Sequence, residues 1–112
     1  MNKLEEKYKR YLKQEAKKQQ QEQIKHWVSL AKKEAERISN DIDFVVEKIK
    51  SKEYSLDMAK EELLWRVLDM ENHYVNSDIS EVNEVYQEVL DKARAALKRV
   101  NDKIQEDGFD KL

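Results

Sequence analysis

Eight apolar side chains between residues 24 and 49 recur with gaps of 4, 3, 4, 3, 4, 3 and 4: Ile24, Val28, Ala31, Ala35, Ile38, Ile42, Val45 and Ile49. That alternation gathers all of them on one stripe of an α-helix, whereas a strand would scatter them over both faces. The chain must therefore cover an unbroken apolar edge roughly 39 Å long, at 1.5 Å per residue. Ala31 and Ala35 sit mid-seam, where small side chains let a neighbouring helix approach closely. The spacing alone fits a dimeric coiled coil and one helix of an antiparallel bundle equally well. The rest of the chain has to decide.

Corners are scarce. Turns draw on Gly and Pro, and these 112 residues contain one Gly and no Pro, which favours a few long helices. Charged residues make up 41% and hydrophobic ones 39%, and the helical spacing of the apolar set separates the sequence from a disordered one. The length suits one domain. Without Cys there is no disulfide framework and no thiolate metal site. No apolar run approaches the ~20 residues that cross a bilayer. The opening MNKLEEKYKRYLKQ has charges but no apolar segment, so no secretory signal is expected and the cytoplasm is the expected location.

The fold class predicted is all-α: a three-helix up-down-up antiparallel bundle over residues 24–107, with helices at about 24–50, 56–75 and 79–107. SKEYS interrupts the first comb, and Ser55 can accept from a backbone N–H of the next turn. Leu56, Ala59, Leu63, Val67, Met70 and Tyr74 then share a face, with Leu64, Leu68 and Val75 widening it. Asp78 with Glu81 resembles a capping box. Val82, Tyr86, Val89, Ala93, Leu97, Val100 and Ile104 form the third stripe, with carboxylates early and cations late, as the helix dipole favours. Gly108 is the expected C′ residue, with Phe109 folding back and residues 108–112 as a tail.

Residues 1–23 break the pattern. Leu4, Tyr8, Tyr11 and Leu12 make a short patch out of phase with the seam, and KQEAKKQQQEQ offers nothing apolar larger than Ala16. All are fair helix formers, so a first helix can run unbroken from Lys3 to Lys50, its first ~30 Å projecting beyond the bundle. Residues 1–26 carry a net charge of +4 and the remainder −6.

Most chemistry lacks its residues. Bundle metal sites use Glu-x-x-His pairs. Gln23 precedes His26 by three and Met70 precedes His73 by three, so no metal or cofactor is expected. Arg37, Arg66, Arg94 and Arg99 fall among polar positions, as solvated side chains rather than an anion clamp. A single Gly near the end allows no phosphate-cradling loop. The expected protein is not an enzyme and has no small-molecule substrate.

Two surfaces are left as candidates. Lys7, Lys9, Arg10, Lys13, Lys17 and Lys18 could neutralise phosphates while Tyr8 or Tyr11 stacks on unpaired bases. Glu5, Glu6 and Glu15 among them, and a whole-chain pI of 5.8, argue instead for a salt-bridged solvated helix. Its four-residue apolar face is too small for membrane binding. The other surface comes from apolar surplus. Leu30 and Phe44 lie about 100° and 140° from the centre of the first seam, and Met58 and Trp65 lie outside the face of the second helix. The function expected is a helical protein–protein interaction module, an adaptor, inhibitor or assembly factor, bound to another protein or to a second copy of itself. Nucleic-acid association through the arm and a structural coiled-coil homodimer are the alternatives.

Overall fold

The chain forms three α-helices: α1 over Lys3–Lys50, α2 over Leu56–His73 and α3 over Ser80–Asp110. The computed structural model describes the backbone of residues 2–110 and the side chains of residues 2–106, which include no strand. The shape is a rod of 85 × 22 × 14 Å. Its length is set by α1, whose 48 residues span about 72 Å.

Local chemistry fixes most helix ends. The Asn2 side chain accepts from the Leu4 N–H at 3.3 Å, and Ser55 Oγ accepts from the Met58 N–H at 3.2 Å. Between α1 and α2 the chain turns through Lys52, which sits in the left-handed region at φ 63°. There the Lys52 N–H donates to the Ile49 carbonyl at 3.1 Å and the Glu53 N–H to Lys48 at 3.0 Å. This is the Schellman pairing, with Lys where Gly would cost nothing. The Lys48–Glu53 ion pair straps the same corner.

The start of α3 differs from expectation. Asp78 and Glu81 form no capping box; the Asn83 side chain closes the turn instead. Its Oδ1 accepts from the Ser77 N–H at 2.8 Å and its Nδ2 donates to the Ser77 carbonyl at 2.7 Å. A two-sided amide satisfies a donor and an acceptor together, which a carboxylate cannot do. At the other end, α3 runs through Gly108 to Asp110, so the helix does not stop at the residue expected to cap it. The expected Phe109 contact lies outside the described side chains.

One core cluster draws on all three helices. Ala35, Ile38, Ile42 and Val45 come from α1, Ala59, Leu63, Val67 and Met70 from α2, and Val89, Leu90, Ala93 and Val100 from α3. The seam is thus covered within the chain from Ala31 onward, while Ile24 and Val28 at its start are half-buried. Four side chains are enclosed almost completely: Ile42, Leu63, Met70 and Leu90. Each such burial stabilises by about 1.5–3 kcal/mol. Leu90 is a correction, since it stands one residue off the predicted stripe. The reason is the packing: α3 lies along both α1 and α2, which touch each other far less. A helix with two neighbours needs two flanks. The widened face was expected on α2, yet Leu64 and Leu68 are exposed.

Charged pairs bridge the helices. Arg66 meets Asp41 at 3.2 Å and Tyr74 Oη donates to Glu34 at 3.4 Å, so α1 and α2 run in opposite senses. Lys92 meets Asp43 and Ser39 Oγ, each at 2.7 Å, and Arg94 meets Glu71 at 2.8 Å. Arg37, Arg94 and Arg99 are exposed, as expected, whereas Arg66 is half-buried; Arg37, Arg66 and Arg94 each also take a carboxylate partner. Partly exposed pairs of this kind contribute about 0–1 kcal/mol each, so they align the helices more than they hold them.

Candidate interaction surfaces

Leu30, Phe44, Met58 and Trp65 are all exposed, and the structure divides them rather than joining them. Leu30 and Phe44 are fourteen residues apart on α1, about 21 Å along the axis. Met58 and Trp65, two turns apart, share the outer face of α2. Leu68 follows Trp65 by three residues and Leu64 flanks it, completing an apolar stripe with the helical gaps of the core face but pointing away from it. Trp65 stands at its middle with 75% of its surface exposed. The reading that assigned Leu64 and Leu68 to the core concealed this stripe.

Phe44 has a local role. Tyr54 meets its ring edge-on, with centroids 6.4 Å apart, and Lys48 Nζ lies 5.1 Å from its centroid. Lys48 also pairs with Glu53, a hydrogen bond that raises its pKa. Phe44 therefore belongs to the α1–α2 corner as well as to the surface. Leu30 has an unpredicted companion three residues earlier: Trp27 is exposed, and the His26 ring stands 5.9 Å from it.

The arm residues Lys7, Tyr8, Lys9, Arg10, Tyr11, Lys13, Lys17 and Lys18 lie on the first third of α1, every one exposed. None of the arm's cations forms an ion pair among the described residues, so the salt-bridged helix expected there is not built. Leu4, Tyr8 and Tyr11 follow gaps of 4 and 3 on one face, with Leu12 beside them. Arg10, Lys13 and Lys17 fall on the opposite face, at 100° per residue.

Apart from Lys48, the shifted acid–base groups gather where the three helices meet. Two hydrogen bonds from Arg37 lower the Glu34 pKa, and burial raises those of Tyr74 and Tyr86, whose rings pack 4.9 Å apart. A carboxylate held ionised beside a phenol held neutral is suited to structural hydrogen bonding. His73 faces Asp69 at 3.9 Å on the surface. Among the described residues no three metal-ligating side chains converge, and no helix is long and apolar enough to cross a membrane.

No protein-family model matches this chain, nor does any curated protein or solved structure.

Proposed function

We propose that the chain is a non-enzymatic helical interaction module, an adaptor, inhibitor or assembly factor working in the cytoplasm through exposed helix faces. The architecture that goes with this reading is an up-down-up antiparallel bundle from which residues 1–23 project as an arm. One observation carries it: α2 presents a second apolar face, with Trp65 at its middle, opposite the face it gives to the core. Large aromatics ringed by smaller apolar groups dominate interface energetics, and a helix with apolar residues on both sides has two neighbours to satisfy. Among the described residues only the face turned to α1 and α3 is covered.

Capture from source-cell extract with the full chain as bait tests the reading, with Trp65→Ser as the control. The expected result is a partner recovered by the wild type and lost by the variant, at an unchanged melting temperature. Equal recovery by both proteins, or a variant that melts far lower, overturns it.

A second reading has its own support. The unpaired cations of the arm, with Tyr8 and Tyr11 alongside, suit single-stranded nucleic acid. Binding of a labelled oligonucleotide that falls steeply with salt, and that weakens on Lys13→Glu, would favour it.

A further inference from the structure

We infer that the arm of one copy docks on the outer face of α2 of a second copy, and reciprocally, giving a twofold pair. This rests on the interaction-module reading and names its partner. The arm cannot satisfy its own apolar comb. From Lys3 to Lys50 the helix is continuous, without Gly or Pro to bend it, so the arm points away from its own α2. The comb of Leu4, Tyr8 and Tyr11 is left exposed, as is the α2 stripe of Met58, Trp65 and Leu68. Neither has a partner among the described residues.

The two surfaces match in length and in charge. From Lys3 to Gln23 the arm spans about 31 Å, close to the roughly 27 Å of the 18 residues of α2. Residues 1–26 carry a net charge of +4, whereas α2 holds five carboxylates against Lys60 and Arg66. Asp57, Glu61 and Glu62 are exposed and form no ion pair among the described residues. Two α2 faces brought together would set these carboxylates against one another, and two arms would do the same with their lysines. With the comb of Leu4, Tyr8 and Tyr11 turned to α2, Lys7 and Lys18 lie along its edge at 100° per residue, so arm against α2 is the combination that brings opposite charges together. Placed once, a single helix on a single helix is a small interface. Twofold symmetry supplies it twice, which is how a modest patch holds a stable pair.

Sedimentation of the full-length chain over the micromolar range is the test, at low salt and in about 1 M NaCl, where charges are screened beyond about 3 Å. The expected result is a dimer at low salt that weakens as salt rises. Trp65→Ser alone and Tyr8→Ser with Tyr11→Ser each weaken it about tenfold or more, with helicity unchanged. The decisive arm mixes the two variants. One keeps an intact arm and the other an intact α2 face, so together they rebuild one junction and pair more tightly than either does alone. Should Trp65→Ser pair as well as wild type, the contact is arm to arm; should the double Tyr variant do so, it is α2 to α2. Either overturns the proposal. So does a wild-type chain that stays monomeric, and if that monomer captures another protein in the extract experiment, the module reading survives without this partner.

Discussion

The two parts of α1 are one helix with two fates. From Ile24 to Lys50 it carries the seam and packs into the core; from Lys3 to Gln23 it is exposed almost throughout. Helix propensity does not separate them, since both parts are rich in Lys, Glu, Gln and Ala. The occupancy of one register does. Continued backward with the same alternation of 3 and 4, the seam falls on Gln21, Lys17, Gln14, Arg10, Lys7 and Lys3. Six polar side chains replace the apolar teeth, and the neighbouring helices end where the substitution begins: α2 stops at His73 and α3 starts only at Ser80. Helicity and packing are thus written in different letters, and the arm keeps the first without the second.

The comparison breaks most visibly at Ile42, which is 1% exposed in the packed part. Ile42→Asp places a carboxylate without a partner among Leu63, Val67 and Val89, at a cost of several kcal/mol, comparable to the stability of a small domain. The expected outcome is loss of cooperative thermal unfolding by circular dichroism. A variant with wild-type helicity and melting temperature would show that the seam is not core.

Leu90→Ala comes next. It should cost about 2–5 kcal/mol, because the side chain is enclosed and the cavity cannot collapse between two neighbouring helices. Denaturant titration measures it. A cost below about 1 kcal/mol would mean that α3 does not serve as the shared wall. The sequence reading placed the three helices and the seam nearly where they are, because those depend on period and on a single good cap at Ser55. It missed Leu90 because a one-stripe reading takes either Val89 or Leu90, and only the position of two neighbours makes both necessary. The same gap hid the outer face of α2. Leu64 and Leu68 look like core on a wheel, and the wheel does not say which helix has two neighbours. Half of the candidate surface, Met58 and Trp65, was legible as apolar residues off the stripe.

Lys52→Gly probes the corner that ends the packed part. A non-Gly residue in the left-handed region costs about 1–2 kcal/mol, and Gly returns part of that gain as backbone entropy in the unfolded chain. A net stabilisation of about 0.5–1 kcal/mol is expected as a rise in melting temperature. A fall would show that the lysine side chain contributes to the corner.

A smaller effect tracks pH through Glu34. Its folded pKa lies below the unfolded value, first because Arg37 hydrogen-bonds to it. The stability it contributes is therefore present above the unfolded pKa and is lost as pH falls through the folded one. Because the carboxylate is one-third exposed, solvent screening keeps the contribution small. Glu34→Gln should flatten the acid limb of the melting-temperature profile slightly, relative to wild type. An unchanged acid limb would remove Glu34 from the balance and leave Tyr74 packed there for its ring alone.

The smallest expected effect on the bundle is the sharpest test of the two fates. Ala16→Pro removes a backbone donor and clashes with the preceding turn, which costs about 3 kcal/mol or more in a helix interior. Ala16 is exposed and lies outside the core cluster, so that cost falls on the arm alone. Residues before it lose helix, because a short isolated segment cannot sustain the nucleation cost once its continuity with the packed part is cut. In dilute protein at about 1 M NaCl, where the inferred pair is apart, mean helicity at 222 nm should drop while the cooperative transition of the packed part moves by less than about 0.5 kcal/mol. The same substitution at Ala35, buried in the core cluster, should abolish the transition. If Ala16→Pro lowered the melting temperature substantially, Tyr8, Tyr11 and Leu12 would have to contact the body of the protein in solution. The arm would then be a second packed region rather than a surface awaiting a partner.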